Sequence, residues 1–341
     1  MNEIGHSRPE RRQGEPFPGW STSPIATWSL LGANVIVWLA VQMSGGAENL
    51  EVLLEFGALF APLIADGQYW RLITAMFLHA DLPHLAMNGI GLLIFGQLVE
   101  KGYGHARFLI IYLVAGLFGS VASFMLNSSA IGVGASGAIF GVVGALAAYF
   151  LSQRSSMGEM ALRNLIAVAL LAAISLGYGM TTSGIDNWAH IGGLVGGFLL
   201  GLALAPRYRT ETSHFGFHVK LVDTSSLAKQ WWVLPATVAL LVAGVWLGSA
   251  NVPKSAFGLV NRAEDYYREG DLARALQQVD EAIELQLATA RAHYLRALIY
   301  LDQGNVPGAV SELRTAIRFG RLSDRGTMRE AVALLLRIRP R

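Results

Sequence analysis

The stretch Gly132–Gly141, GVGASGAIFG, lies inside a run from Phe108 to Gln153 that contains no charged residue. A helix that crosses a bilayer core needs about 20 apolar residues, so this run is long enough for two membrane spans. The only plausible turn within the run is Asn127, Ser128 and Ser129, and we divide it there. The quoted stretch therefore opens a new span, and Ser136 lies close to the start of that span. Ser136 is either a small residue that lets helices touch or a nucleophile within the membrane.

The composition of the whole chain agrees with a membrane protein. Its 341 residues are 53% hydrophobic and 15% charged and include 38 glycines, and the mean hydropathy is +0.42. Membrane bundles are rich in glycine and apolar residues, whereas soluble domains are rarely so apolar. The net charge of +2 is too small and too dispersed to indicate nucleic-acid binding, and the absence of cysteine excludes disulfides and a thiolate nucleophile. We predict an all-α polytopic membrane helix bundle.

Seven segments have the length and apolar character of a membrane span. Spans one to seven are predicted at 25–43, 84–99, 108–127, 134–151, 164–182, 188–205 and 231–250. The polar residues 1–24 form an N-terminal tail, and span one is predicted to be an uncleaved anchor. Residues 207–230 form the loop before span seven.

The distribution of Lys and Arg in the short loops predicts the orientation, since these residues are enriched on the cytoplasmic side. Segments 1–24, 100–107, 152–163 and 207–230 together carry eleven Lys and Arg, whereas segments 44–83, 127–133 and 183–187 carry only Arg71. We therefore expect the N-terminus and the 207–230 loop in the cytoplasm. After seven crossings, the C-terminal region lies on the outer face.

Spans two, four and six all begin at the outer face, and each begins with polar residues. Span two starts with HLAMN, containing His84 and Asn88, span four starts with GASG, containing Ser136, and span six starts with NWAHIGG, containing His190. Ionisable side chains at membrane depth are costly and usually serve a function inside the bundle. The spacing places His84 and Asn88 on one helix face, where both side chains can donate hydrogen bonds to an oxyanion.

Rows of small residues predict that spans four and six pack closely. Gly137, Gly141 and Ala145 repeat every four residues in span four, and so do Gly193, Gly197 and Gly201 in span six. Such rows let helix backbones approach each other, which would bring a serine within reach of a histidine acting as general base.

Spacing alone leaves open which histidine is the base, although the neighbouring Asn88 favours an electrophilic role for His84. Asp186, four residues before His190, is either a third member of a triad or, as we expect, a solvated residue just outside the span.

Taken in order, YWRLITAMFLHADLPHLAMNGIGLLIFGQLVE (Tyr69–Glu100), GASG (Gly134–Gly137) and AHIGGLVGG (Ala189–Gly197) resemble the rhomboid family of intramembrane serine proteases. The resemblance covers roughly residues 25–206 and implies a six-helix membrane core, to which span seven is added. It implies that Ser136 is the nucleophile and His190 the general base. His84, Asn88 and the Ser136 backbone N–H would form the oxyanion hole.

The resemblance also implies supporting roles. Gly134 would shape the loop entering the site, Gly137, Gly193 and Gly197 would pack the two helices, and Phe140 would stack on the catalytic histidine. Trp70 and Arg71 would belong to a structured first outer loop. The implied reaction is hydrolysis of peptide bonds in or next to transmembrane segments of protein substrates, within the lipid bilayer. No metal or organic cofactor is implied, and the expected location is a bacterial plasma membrane.

The C-terminal region, 255–341, is charged and repetitive. NRAEDYYREGDLARALQQVDEAIEL and YLRALIYLDQGNVPGAVSELRTAIRF align at a shift of 34 residues, with small residues in register. This period resembles tetratricopeptide repeats, which are pairs of antiparallel helices. We predict two repeats and a last helix near 326–338. The region is either a docking surface for a peptide or protein partner or a spacer.

Two other functions remain as alternatives. One is a catalytically silent rhomboid-like protein that binds membrane helices, which a missing Ser136 or His190 would favour. The other is a proton-coupled transporter using His84 and His190, for which we would expect a carboxylate inside the spans.

Overall fold

The computed structural model describes residues 23–65, 67–127, 131–182, 184–212, 219–251, 256–284 and 290–338. Residues 1–22 of the predicted tail, 1–24, lie outside these residues. The chain forms two compact units, which are described separately. The first contains residues 23–60 and 69–249, and the second contains 61–68 with the chain from 250 onward.

The first unit is a bundle in which each of the seven predicted spans is a helix. The helices are Ile25–Met43, Leu82–Tyr103, His105–Leu126, Ser136–Ser152, Glu159–Thr181, Asn187–Ala203 and Val233–Asn251. Spans one, two, three, five and seven are long and apolar enough to cross a membrane, and spans four and six are apolar helices of 17 residues. Span three ends at Leu126, so Asn127, the first residue of the predicted turn, lies just outside the helix. Ser128 and Ser129 lie outside the described residues.

Span two is longer than predicted. It runs from Leu82 to Tyr103, with a π-helical turn at Leu92–Gly96, and it includes Glu100. The carboxylate of Glu100 is fully buried. It accepts hydrogen bonds from the backbone N–H groups of Ala26 at 2.8 Å and Thr27 at 2.7 Å. The first N–H groups of a helix have no partner within the helix, so Glu100 supplies the acceptors that the start of span one lacks.

Spans four and six pack backbone to backbone along the glycine rows. A Cβ atom added to Gly193 would lie 1.9 Å from the carbonyl oxygen of Gly137, and one added to Gly197 would lie 1.9 Å from that of Gly141. One turn further, a Cβ at Gly201 would lie 2.8 Å from the Cα of Ala145. The residue numbers of the contacting pairs increase together along both helices, from Gly193 with Gly137 to Gly201 with Ala145. The two spans therefore run parallel.

Span seven packs on span three through two further glycines. Cβ atoms added to Gly244 and Gly248 would lie 2.5 Å from Val121 and 2.4 Å from Phe124.

The loop before span seven contains an antiparallel strand pair, Tyr208–Thr212 with Val219–Asp223, which the sequence pattern does not predict. Arg107 at the start of span three donates a hydrogen bond to the Asp223 carboxylate at 2.5 Å and so holds the end of the strand pair.

The remaining elements of the membrane unit are short. Strand Leu59–Phe60 pairs antiparallel with Ile131–Gly132. The short helices are Leu50–Glu55, Arg71–Thr74, Ala75–Phe77, Arg154–Met157 and Leu227–Gln230.

The second unit contains the predicted helical repeats, together with the short helix Ala61–Ala65. Its longer helices are Ala256–Arg268, Leu272–Glu284, Ala290–Asp302, Val306–Ser323 and Arg325–Ile338. The small residues that align at the 34-residue shift are fully buried: Ala263 with Ala297, Ala275 with Ala309 and Ala282 with Ala316. Gly270 and Gly304 occupy the same turn position, with φ values of +81° and +77°. The prediction of two helix pairs and a last helix is confirmed.

Candidate active site

Ser136 and His190 are in hydrogen-bond contact. Ser136 is the first residue of span four, and His190 lies in the first turn of span six. The Oγ of Ser136 is 2.9 Å from the Nε2 of His190, although 54 residues separate them in sequence. The imidazole is buried. Among the described residues, its other nitrogen, Nδ1, has no hydrogen-bond partner. The described chain therefore presents a serine and a histidine in contact, without a third side chain on the imidazole.

The ring of Phe140 lies against the same imidazole. The two ring centroids are 4.3 Å apart, and the planes are nearly parallel, at 12°. Phe140 is four residues after Ser136, one helical turn along span four, so a single helix face supplies both the hydroxyl and the stacking ring.

Gly134 brings the backbone before Ser136 against His84 and Asn88. Its φ of +127° is a conformation that favours glycine. A Cβ atom added here would lie 2.7 Å from the Nε2 of His84 and 3.6 Å from the Nδ2 of Asn88. Gly134 is two residues before the serine. The side chains of His84 and Asn88, which can both donate hydrogen bonds, therefore lie beside the backbone that leads into Ser136.

The start of span two is fixed by Asp81. Its side chain accepts a hydrogen bond from the backbone N–H of His84 at 2.6 Å and caps the helix. His79, in the loop before this helix, contacts His84 edge to face at 5.3 Å between ring centroids. Burial, together with the neighbouring His84, lowers the pKa of His79 to about 4, so this imidazole is neutral at physiological pH.

Trp70 and Arg71 lie in the segment between spans one and two, where Arg71 bonds the earlier part of the same segment. The guanidinium of Arg71 donates hydrogen bonds to the carbonyl oxygens of Leu54 at 2.7 Å and Ala58 at 3.1 Å. It also lies 4.6 Å from the centre of the Trp70 ring. These contacts tie the earlier part of the segment to the short helix that Arg71 begins.

Asp186 does not bond the imidazole and is not simply solvated. Its carboxylate caps span six through the N–H groups of Trp188 and Ala189, each at 3.1 Å. It also accepts a hydrogen bond from the hydroxyl of Ser123 in span three. An Asp directly before an apolar helix is a known capping signal, but nothing in the sequence singled out Ser123. In the described part of the chain, no group of three or more His, Cys, Asp or Glu side chains could hold a metal ion.

Comparisons with known proteins agree with this arrangement. Residues 66–207 match the family model described as the Rhomboid domain, and residues 260–324 match the model described as the Tetratricopeptide repeat.

Three relatives illustrate the similarity. The chain is 33% identical over 309 residues to Rhomboid protease GluP of Bacillus subtilis (strain 168), covering 91% of this chain and 57% of the relative. It is 40% identical over 153 residues to RHOMBOID-like protein 6, mitochondrial, of Arabidopsis thaliana, covering 45% of this chain and 49% of the relative. It is 31% identical over 231 residues to Rhomboid-like protease 3 of Toxoplasma gondii, covering 66% of this chain and 85% of the relative. Less than two thirds of the length of the first two relatives is covered, whereas most of the third is. The chain therefore belongs to the rhomboid family, and a tetratricopeptide repeat region follows its membrane core.

Proposed function

We propose that this protein is an intramembrane serine endopeptidase that cleaves peptide bonds in or next to the transmembrane segments of other membrane proteins. The observation that carries the proposal is the 2.9 Å contact between the Oγ of Ser136 and the Nε2 of His190 at the starts of two parallel helices. A nucleophile within hydrogen-bond reach of a base is what acyl transfer requires. The similarity to named rhomboid proteases supports a hydrolase.

In the proposed reaction, His190 takes the hydroxyl proton of Ser136 while the serine oxygen attacks the carbonyl carbon of the scissile bond. The carbonyl oxygen becomes an oxyanion, to which His84, Asn88 and the Ser136 N–H donate hydrogen bonds. His190 then gives its proton to the departing amine, and an acyl enzyme remains. Water, deprotonated by His190, attacks the ester, and the proton returns to Ser136 as the acid product leaves.

The other side chains of the site support this geometry. The stacked ring of Phe140 limits rotation of the imidazole, which has no carboxylate partner among the described residues. Gly134 leaves room for the oxyanion donors to lie against the backbone. The close packing at Gly193 and Gly197 sets the separation of the two helices that carry the dyad.

The loop charges favour a plasma-membrane arrangement with a cytoplasmic N-terminus and the active site toward the outer face. We take 25–206 as the catalytic core, 207–230 as a cytoplasmic loop, 231–250 as an added span and 255–341 as the repeat domain. The repeats would lie on the outer face, where they would dock a substrate or another protein.

The test is cleavage of a single-span reporter by the purified protein in liposomes. The wild type is compared with Ser136→Ala, His190→Ala and Asn88→Ala, and each variant is checked for its thermal unfolding temperature. Loss of cleavage in the first two variants, with folding intact, supports the dyad. We expect Asn88→Ala to lower kcat by about 100-fold, as removal of one oxyanion donor does elsewhere.

Labelling with a serine-reactive fluorophosphonate distinguishes the proposed protease from a catalytically silent rhomboid-like protein. Absence of both labelling and cleavage in the wild type, across several reporters, would favour a protein that binds membrane helices without cutting them. Cleavage that persists in Ser136→Ala would refute the proposed nucleophile.

A further inference from the structure

Asp186 links the helix that carries His190 to a neighbouring span. One carboxylate oxygen accepts hydrogen bonds from the N–H groups of Trp188 and Ala189, at 3.1 Å each. The other accepts the hydroxyl hydrogen bond of Ser123. Ser123 is almost completely buried in span three. The carboxylate therefore joins the first turn of span six to a fixed point on span three.

This link lies at the end of a close contact between spans three and six. A Cβ atom added to Gly119 would lie 2.7 Å from the carbonyl oxygen of Ala189, and one added to Gly192 would lie 2.7 Å from that of Phe118. The two backbones thus touch on either side of His190. Asp186 closes this contact at the end where span six begins.

The first turn of span six also carries the proposed base. The backbone N–H of His190 donates to the carbonyl oxygen of Asp186 at 3.2 Å. If the turn frays or shifts, the imidazole moves with it, because its backbone is part of that turn. The contact of 2.9 Å with Ser136 leaves little room for such movement, since hydrogen bonds to nitrogen in proteins usually span only about 2.7–3.2 Å.

We propose that Asp186 is a positioning residue, which clamps the start of span six to Ser123 and thereby holds His190 at hydrogen-bond distance from Ser136. This inference rests on the proposed protease function. It differs from a Ser-His-Asp triad, in which the carboxylate would bond the imidazole. Both oxygens of Asp186 are bound elsewhere, and no described group bonds the Nδ1 of His190. Asp186 therefore makes no hydrogen bond to the imidazole and holds it through the backbone of the first turn.

The test compares Asp186→Ala, Asp186→Asn and Ser123→Ala in the full-length protein in liposomes. The readouts are kcat, KM and the pH dependence of kcat. Asparagine also caps helices and can bond a hydroxyl, so Asp186→Asn should keep kcat within about threefold of the wild type. Alanine removes both contacts, and we expect kcat to fall by about 10- to 100-fold at every pH, with KM within about twofold.

Ser123→Ala removes the contact with span three and leaves the helix cap in place. It should lower kcat in the same way but by a smaller factor. Because Ser123 and Asp186 act through one contact, the double variant Ser123→Ala, Asp186→Ala should be no worse than Asp186→Ala by more than about twofold.

Asn305 provides a matched control, since its side chain caps a repeat helix by accepting from the N–H of Gly308 at 3.0 Å. Asn305→Ala removes a helix cap of the same kind within the second unit. It should leave kcat unchanged, which separates the loss of a cap in general from the loss at span six.

Three results would overturn the inference while the wild type cleaves normally. In the first, Asp186→Ala keeps the wild-type kcat. In the second, the kcat of Asp186→Asn falls as far as that of Asp186→Ala and the pH dependence of kcat shifts. That result would assign Asp186 a direct electrostatic role. In the third, Ser123→Ala is indistinguishable from the wild type. If the wild type itself does not cleave, and behaves like Ser136→Ala, the proposed function fails and this inference fails with it.

Discussion

The sharpest test of the architecture is to add one methyl group to Gly193. An alanine Cβ at this position would lie 1.9 Å from the carbonyl oxygen of Gly137, whereas ordinary van der Waals contact begins at 3.4 Å. The difference of about 1.5 Å is the distance by which spans four and six must separate locally. The obstacle is a backbone carbonyl, so no side-chain rotation can relieve the clash.

The separation acts directly on the proposed dyad. His190 is three residues before Gly193 on span six, and Ser136 adjoins Gly137 on span four. A shift of about 1.5 Å would lengthen the 2.9 Å contact between Oγ and Nε2 to about 4.4 Å, beyond a hydrogen bond. A misplacement of about 1 Å at a reacting centre can lower a rate by about 100-fold. We therefore expect Gly193→Ala to lower kcat by at least about 100-fold and to cost about 1–3 kcal/mol of stability through overpacking.

The assay is reporter cleavage in liposomes, combined with fluorophosphonate labelling of Ser136 and denaturant unfolding in detergent. Gly201→Ala is the first control, since its Cβ would lie 2.8 Å from the Cα of Ala145 on the same pair of helices. Gly201 is eleven residues from His190, about 16 Å along the helix. Gly201→Ala should therefore lower the free energy of unfolding but reduce kcat less than Gly193→Ala does. Gly177→Ala in span five, where no atom lies within 4 Å, should be neutral.

Two results would refute this reasoning. If Gly193→Ala keeps kcat within about twofold of the wild type, the glycine rows do not set the distance within the dyad. If Gly201→Ala loses as much kcat as Gly193→Ala at equal stability loss, the effect is general destabilisation and not displacement of His190.

Three further predictions concern other parts of the chain. Gly134→Ala should lower kcat by at least about 10-fold, because its Cβ would lie 2.7 Å from the imidazole of His84, the proposed oxyanion donor. Gly184→Ala, also at positive φ but with open space around it, should leave kcat unchanged. Glu100→Ala should lower the free energy of unfolding by about 3 kcal/mol, measured by denaturant titration, because it leaves the first N–H groups of span one without acceptors. Burial raises the pKa of Glu312, but hydrogen bonds from His293 and a neighbouring arginine outweigh it and hold this pKa below its usual 4.5. The ionised carboxylate therefore stabilises the repeats above about pH 4.5, and this stabilisation is lost as the pH falls through the lowered pKa. Below that pKa, hydrogen exchange of the repeat helices should become less protected in the wild type, whereas Glu312→Gln should show no such pH-dependent loss of protection.

The spans were predictable from sequence because membrane helices carry their signal locally. An uncharged run of sufficient length must be helical in a bilayer, and a turn must divide a run that is twice too long. The glycine rows were also visible, since a four-residue spacing identifies one helix face. The parallel packing of spans four and six followed from those two facts together.

What the sequence did not show depends on contacts between distant residues. Span two was predicted to end at residue 99, before Glu100, because a charged residue was taken as the edge of the membrane. In the structure the helix continues to Tyr103. The Glu100 side chain can lie inside the bundle because it accepts a hydrogen bond from the N–H of Ala26, 74 residues earlier in the chain. Asp186 was expected in solvent for the same reason, and its contact with Ser123 bridges 63 residues. The pairing of Tyr208–Thr212 with Val219–Asp223 has no signal in the loop charges by which this segment is recognised.

The contacts of three carboxylates favour the proposed proteolysis over proton transport through His84 and His190. A proton relay needs an acidic group within reach of an imidazole. Asp81 and Asp186 instead cap spans two and six, and Glu100 caps span one.

Span four starts at the same face as spans two and six, yet its first turn has no side-chain cap. The first hydrogen bond of that helix comes from the N–H of Ile139 to the carbonyl oxygen of Ala135, so the N–H groups at Ser136 and Gly137 have no partner within the helix. N–H groups that have no partner within their helix are suited to bind an oxyanion. A side-chain cap would have occupied those donors. The contrast between the two capped helices and the uncapped one supports the proposal that the oxyanion binds at the start of span four.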